Sequence, residues 1–166
     1  MTANAQPTSA RRQAALSDPW PPAEPVLLFD GVCHLCQRSV RFVLRHERRS
    51  ALLFCTLQSP AGRDLLERHG LDPGYTGSLV LIAEGKARTR SDAALFLARH
   101  LRAPWSWIRA FRLLPRPWRD WLYDIVAKRR YRWFGRDESF CLIPDARLRA
   151  RLIDDLPKDP SDSATR

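Results

Sequence analysis

No stretch of the sequence approaches the run of about 18 apolar residues that a membrane-spanning helix needs, so a helical integral membrane protein is excluded and a soluble or peripheral one is expected. Cysteine is scarce: four in 166 residues, at Cys33, Cys36, Cys55 and Cys141, with only the first two close together. Small secreted scaffolds carry denser, evenly paired cysteines, so a disulfide framework is excluded and a reducing, cytoplasmic setting is expected. Histidine is scattered over His34, His46, His69 and His100, with no His-x-x-x-His pair to join the thiols in a closed four-ligand zinc site. Residues 1–25 contain Arg11-Arg12 but no apolar stretch behind it, so no secretory signal is expected. Acids are the minority charge, 18 against 28 basic residues, and the net charge of +10 suits an anionic partner such as nucleic acid, a membrane surface or an acidic protein. There is no internal repeat.

What is present is enough for one folded domain: 45% hydrophobic residues, six Trp and seven Phe, in a chain too short for two comfortable cores. Residues 1–24, with Pro19, Pro21 and Pro22, read as a mobile N-terminal arm, 25–153 as the domain, and 154–166 as a polar tail. Pro25 to Phe29 is a continuous apolar run, the pattern of a strand buried on both faces. From Cys36, the residues Val40, Val43 and Leu44 share one helical side and Arg38, Arg41, Arg45 and Arg48 the other, which predicts an amphipathic helix ending near His46. Ala51 to Thr56 is a second strand, and Ser59-Pro60 opens a helix that Gly70 closes. Ser78 to Ala83 and Lys86 to Arg90 pair as a hairpin about Glu84-Gly85, and Ser91-Asp92 caps a third helix. The order β-α-β-α-β-β-α predicts an α/β fold, a thioredoxin-like mixed central sheet flanked by helices, here with an added C-terminal helical segment.

Asp30-Gly31-Val32-Cys33-His34-Leu35-Cys36 joins the first strand to the first helix. The Cys-x-x-Cys spacing by itself serves redox chemistry, metal ligation or simple packing; a strand running straight into it at a helix start favours redox. At that position unpaired N–H groups and the helix dipole favour a thiolate, and the attacking thiol of such motifs falls from about 8.5 to roughly 3.5–7.5. Cys33 is therefore the expected nucleophile on a substrate disulfide, protein or small molecule, and Cys36, more buried, the thiol that resolves the mixed disulfide. Asp30 exchanges a proton with the resolving thiol or, more simply, bonds the N–H groups of the Gly31-Val32 turn. His34 supports the Cys33 thiolate or faces solvent. No organic cofactor and no metal is expected. The alternative is an accessory module whose thiols hold a metal or pack. Cys55 reads as a core thiol, and Cys141 as core or a third reactive thiol.

Beyond Ala103, Trp107, Phe111 and Leu114, then Trp118, Trp121, Leu122 and Ile125, form two helical stripes separated by Pro115-Arg116-Pro117. Residues 109–136 hold nine basic side chains and two acids. The stripes are expected to cover the sheet, with a membrane or anionic partner docking through 105–136 as the alternative. Tyr131 to Gly135 reads as an aromatic loop, and Pro144-Asp145 caps a last short helix.

Asp30-x-x-Cys33-x-x-Cys36, preceded by Leu-Leu-Phe, resembles the signature of the DCC family of thiol-disulfide oxidoreductase-like proteins. Leu57-Gln58-Ser59 with Gly62, Ser78 to Ile82, Ser91-Asp92-Ala93-Ala94, Pro115-Arg116-Pro117 with Arg119-Asp120, and Tyr131 to Gly135 are similar to further blocks of it, so the resemblance spans about residues 25 to 153. It implies a thioredoxin-like fold and a redox role for Cys33 and Cys36. Where ordinary thioredoxins carry a cis-proline before the third strand, this chain has Thr76-Gly77-Ser78, whose Gly77 and Ser78 are left to offer backbone groups to a substrate.

Overall fold

Alternation within three short apolar strands sets the architecture. A computed structural model describes residues 20–136 and 146–155. In it β1 (Val26–Phe29), α1 (His34–His46), β2 (Leu53–Thr56), α2 (Pro60–Arg68), β3 (Val80–Ala83), β4 (Lys86–Thr89) and α3 (Arg90–Leu97) follow in the expected order. The sheet runs β2-β1-β3-β4, with β1 parallel to β2 and antiparallel to β3, and β3 antiparallel to β4. This is the thioredoxin-like arrangement. Leu27, Phe29, Phe54 and Leu81 point to one face and pack with Val40, Val43 and Leu44 of α1 and Ala93 and Leu97 of α3. Val26, Leu28, Leu53, Cys55, Val80 and Ile82 point to the other and pack with Leu65 and Leu66 of α2. Because both faces are covered, β1, β2 and β3 are almost wholly apolar and buried, whereas the edge strand β4 (Lys-Ala-Arg-Thr) is partly exposed.

Local signals hold at most joints. The Ser59 hydroxyl accepts the Gly62 N–H at 3.0 Å and Pro60 opens α2. Gly62 is required by space: a Cβ there would lie 2.1 Å from the Thr56 carbonyl oxygen. Gly70, with φ of +71°, ends α2 as its N–H bonds the Glu67 carbonyl. Glu84 and Gly85 take φ of 56° and 68°, the twist that a two-residue hairpin needs. After α5 (Ala146–Arg149) the chain runs beside β2, where the Ile153 N–H donates to Phe54 and the Asp154 carboxylate accepts from the Thr56 N–H at 2.7 Å.

Three expectations fail. Ser91-Asp92 does not cap α3, which starts at Arg90 directly from β4 with Thr89 as its cap residue. Instead the Ser91 hydroxyl donates to Asp120, and Asp92 pairs with Arg116 at 2.7 Å and Arg119 at 3.3 Å. Tyr131 to Phe134 is not a loop but the last turn of α4 (Arg116–Phe134), which Gly135 ends with φ of +84°. The first aromatic stripe is a 3-10 helix, Trp105–Leu113, and neither stripe covers the sheet. Trp107, Leu113, Trp118 and Trp121 are 74%, 89%, 70% and 65% exposed. The sheet has no apolar face left for them, since α1, α2 and α3 already occupy both. α4 therefore packs on α1 and α3 through polar side chains: Arg119, Asp120 and Asp124 meet Asp92, Ser91 and Arg90, and the Tyr123 hydroxyl accepts the Leu79 N–H at 3.1 Å.

Candidate active site

Strand β1 delivers Asp30 to the carboxyl end of the sheet, where it is only 1% exposed. A buried carboxylate needs partners, and Asp30 has four. Its Oδ1 accepts the Val32 N–H at 3.2 Å and Gln58 Nε2 at 2.9 Å. Its Oδ2 accepts Arg130 Nη2 at 3.0 Å and the Tyr131 hydroxyl. The turn bond to Val32 is the simpler of the two roles predicted for Asp30; the other three partners come from 28 to 101 residues away. Gly31 is held on both sides: its N–H donates to Gln58 Oε1 and its carbonyl accepts Gln37 Nε2 at 2.7 Å.

Arg130 is the hub of this arrangement. Nη2 also donates to the Thr76 carbonyl at 2.5 Å and to the Tyr131 oxygen at 2.9 Å, and the guanidinium lies over the Tyr131 ring at 4.7 Å. Burial opposes its charge, but the bond to Tyr131 and the negative charge of Asp30 help to raise its pKa above the ordinary value. In Thr76-Gly77-Ser78 the Thr76 carbonyl is thus taken by Arg130. The Ser78 hydroxyl is buried, bonded to Tyr75 at 2.6 Å and to the Arg90 N–H at 3.3 Å.

Cys33 is the N-cap residue of α1, in extended backbone with φ of −93° and ψ of 117°, next to the unpaired N–H groups of the first turn. The predicted exposures are reversed. Cys33 has no exposed surface, whereas Cys36, one turn inside, is partly open. A long-range contact joins the motif here: Cys33 pairs through its backbone with Arg136, just beyond α4. Both thiols are free. The Cys36 thiol, donating to the Cys33 sulfur, together with the Cys36 N–H and the Arg130 charge, brings the Cys33 pKa down to about 6 against burial and the Asp30 charge. The same bond, burial and the Cys33 charge push Cys36 far upward. His34 is exposed. The hydroxyl pKa of Tyr123 is raised, mainly by burial.

Cys55 stands apart, buried on the α2 side of β2, with its sulfur 3.3 Å from the Ser59 hydroxyl and burial holding its thiol protonated. Cys141 and the Pro144-Asp145 cap lie outside the described residues. Gln58, Tyr123, Arg130 and Tyr131 were not singled out from the sequence as site residues. One signal was there: Tyr123 and Arg130, seven apart, share one side of a helix, and both are polar in a segment read by its apolar positions.

A model of the DCC1-like thiol-disulfide oxidoreductase family matches residues 27–136. The chain belongs to this family. It is 40% identical over 128 residues to YuxK of Bacillus subtilis (strain 168), described as uncharacterized, a match covering 77% of this chain and 93% of that protein. It is also 40% identical over 116 residues to an Arabidopsis thaliana DCC family protein named as chloroplastic, covering 69% and 67% of the two chains. No solved structure matches. The span matched by the DCC1-like model begins in β1 and ends at Arg136, so it includes both thiols and the whole of α4, from which Arg130 and Tyr131 reach Asp30. No helix among the described residues is long and apolar enough to cross a membrane.

Proposed function

We propose that this protein exchanges thiols and disulfides with a protein or small-molecule substrate in a reducing compartment such as the cytoplasm, with Cys33 as nucleophile and Cys36 as resolving thiol. The observation that carries the reading is the asymmetry of the pair: two thiols one helical turn apart, one lowered to about 6 and the other pushed far up. At neutral pH that is one thiolate and one thiol. Cys33 is buried in the resting protein, so the reaction begins with its exposure to the substrate. The Cys33 thiolate then attacks a sulfur of the substrate disulfide, a Cys33-substrate bond forms, the substrate S–S bond breaks, and the displaced thiolate takes up a proton. Formation of the mixed disulfide removes the negative charge on Cys33 that holds the Cys36 proton in place. Cys36 then ionises more readily, attacks Cys33 and releases the second substrate thiol, leaving a Cys33-Cys36 disulfide. Each thiol loses one electron to the substrate, and the reverse sequence oxidises a dithiol.

Asp30 supports the site through Arg130. It fixes the guanidinium whose charge favours thiolate at both sulfurs, while its own charge works the other way. The test is equilibration of the purified protein in glutathione redox buffers. The expected result is a reversible two-electron couple lost in Cys33→Ser and kept in Cys55→Ser. Absence of a couple, or zinc bound stoichiometrically to the reduced protein, would sink the proposal in favour of the accessory-module reading.

A further inference from the structure

All twelve exposed large hydrophobic side chains among the described residues fall between Trp105 and Phe134. On α4 they obey a rule opposite to that of a surface helix. Trp118, Trp121, Leu122, Val126 and Trp133 share the outward side, while Arg119, Asp120, Tyr123, Asp124, Arg130 and Tyr131 are engaged inward. From Trp118 to Trp133 the outward stripe runs roughly 22 Å at the helical rise. The preceding Trp105–Leu113 helix adds Trp107, Ile108, Phe111 and Leu113, also exposed. Exposed apolar surface on this scale marks an interaction site.

Charge selects the partner. Arg109, Arg112, Lys128, Arg129 and Arg132 lie in the same exposed segments, whose two acids, Asp120 and Asp124, are engaged by Ser91 and Arg90. Beside Trp107 opens a cleft of about 1070 Å³ lined by six arginines and a single acid, Asp92. Two copies brought together on this face would oppose these cations. Nucleic acid would match the charge and stack on Trp, but it offers nothing to Leu113, Leu122 and Val126. An anionic lipid surface answers both halves, with Trp and aliphatic side chains in the headgroup boundary and arginines on phosphate.

We propose that the outward face of α4 and the Trp105–Leu113 helix dock this protein on the surface of an anionic phospholipid bilayer. The helix lies along the bilayer plane with Arg130 and Tyr131 directed away from lipid, toward the thiols. The test is co-sedimentation of the full chain with phosphatidylcholine vesicles with and without phosphatidylglycerol, at low and high salt, while tryptophan emission is followed.

Binding is expected only with phosphatidylglycerol present, weakening as salt is raised, with a blue shift in emission. Arg129→Gln with Arg132→Gln should weaken it by about fivefold per residue, and Trp118→Ala with Trp121→Ala by about tenfold or more. Both double variants alter exposed positions and keep the wild-type circular dichroism and Cys33 titration. Three results would overturn the proposal: no binding to either vesicle, a concentration-dependent dimer that shields the same tryptophans, or tighter binding to single-stranded nucleic acid than to the anionic vesicles. The vesicle assay needs neither thiol, so it is independent of the redox couple.

Discussion

Helix α1 lies on the sheet and α4 packs outside it on α1 and α3, and the two are built inside out with respect to each other. α1 buries Val40, Val43 and Leu44 and leaves Arg38, Arg41 and Arg45 outside. α4 buries Arg130, turns Asp120, Tyr123 and Tyr131 to the protein, and leaves Trp118 and Trp121 outside. The first is held by removal of apolar surface from water, the second by hydrogen bonds and ion pairs to the loops around two thiols. A helix attached by polar contacts gains little from hydrophobic burial. What α4 supplies is geometry and charge at Cys33, and an apolar outer face for something else.

The contrast breaks hardest at Arg130. Arg130→Met leaves the Asp30 carboxylate buried without its cation and should cost about 3–5 kcal/mol in urea unfolding, the usual penalty for removing one member of a buried pair. Leu44→Ala on α1 should cost a comparable amount, about 2–5 kcal/mol, yet leave the Cys33 titration where it is. Equal stability losses with different effects on the thiol would separate a site helix from a core helix. If Leu44→Ala moved the thiol as far as Arg130→Met, the distinction would fail.

Next in size is the pH dependence of the reduced protein. A Cys33 pKa of about 6 lies below the value in the unfolded chain, so the folded state binds fewer protons above pH 6 and stability rises with pH there. The gain continues to about pH 8.5, where unfolded thiols ionise as well. Above that point Cys36, shifted the other way, keeps its proton in the folded state while the unfolded thiol loses it, so stability falls. Chemical denaturation of the reduced form across this range should show the rise, and Cys33→Ser should flatten it. The smallest effect belongs to the outer face: Trp118→Ala or Trp121→Ala should change stability by no more than about 0.5 kcal/mol, and a loss of several times that would mean the tryptophans pack.

The core half of the molecule was legible because its signals are local. Short continuous apolar runs, Ser59-Pro60 and Glu84-Gly85 each act over a few residues, and each produced the element expected. The site was half legible. Strand, turn and helix start put Asp30, Cys33 and Cys36 together, but Gln58, Arg130 and Tyr131 arrive from 28, 100 and 101 residues away, and no local pattern says that they meet Asp30. The same distance hid the backbone pairing of Cys33 with Arg136. The orientation of α4 was misread for a physical reason: helical periodicity tells which residues share a side, and only the partner decides which side faces in.

The central claim is that α4 completes the thiol site through Arg130. It is tested most directly by titrating the ultraviolet thiolate absorbance of the reduced protein beside Arg130→Met, with Arg130→Lys as a better-folding companion. The account predicts a wild-type midpoint of about 6 and higher midpoints in the variants, with Arg130→Lys between the two. Coinciding curves, or a wild-type midpoint near the ordinary thiol value of about 8.5, would contradict it.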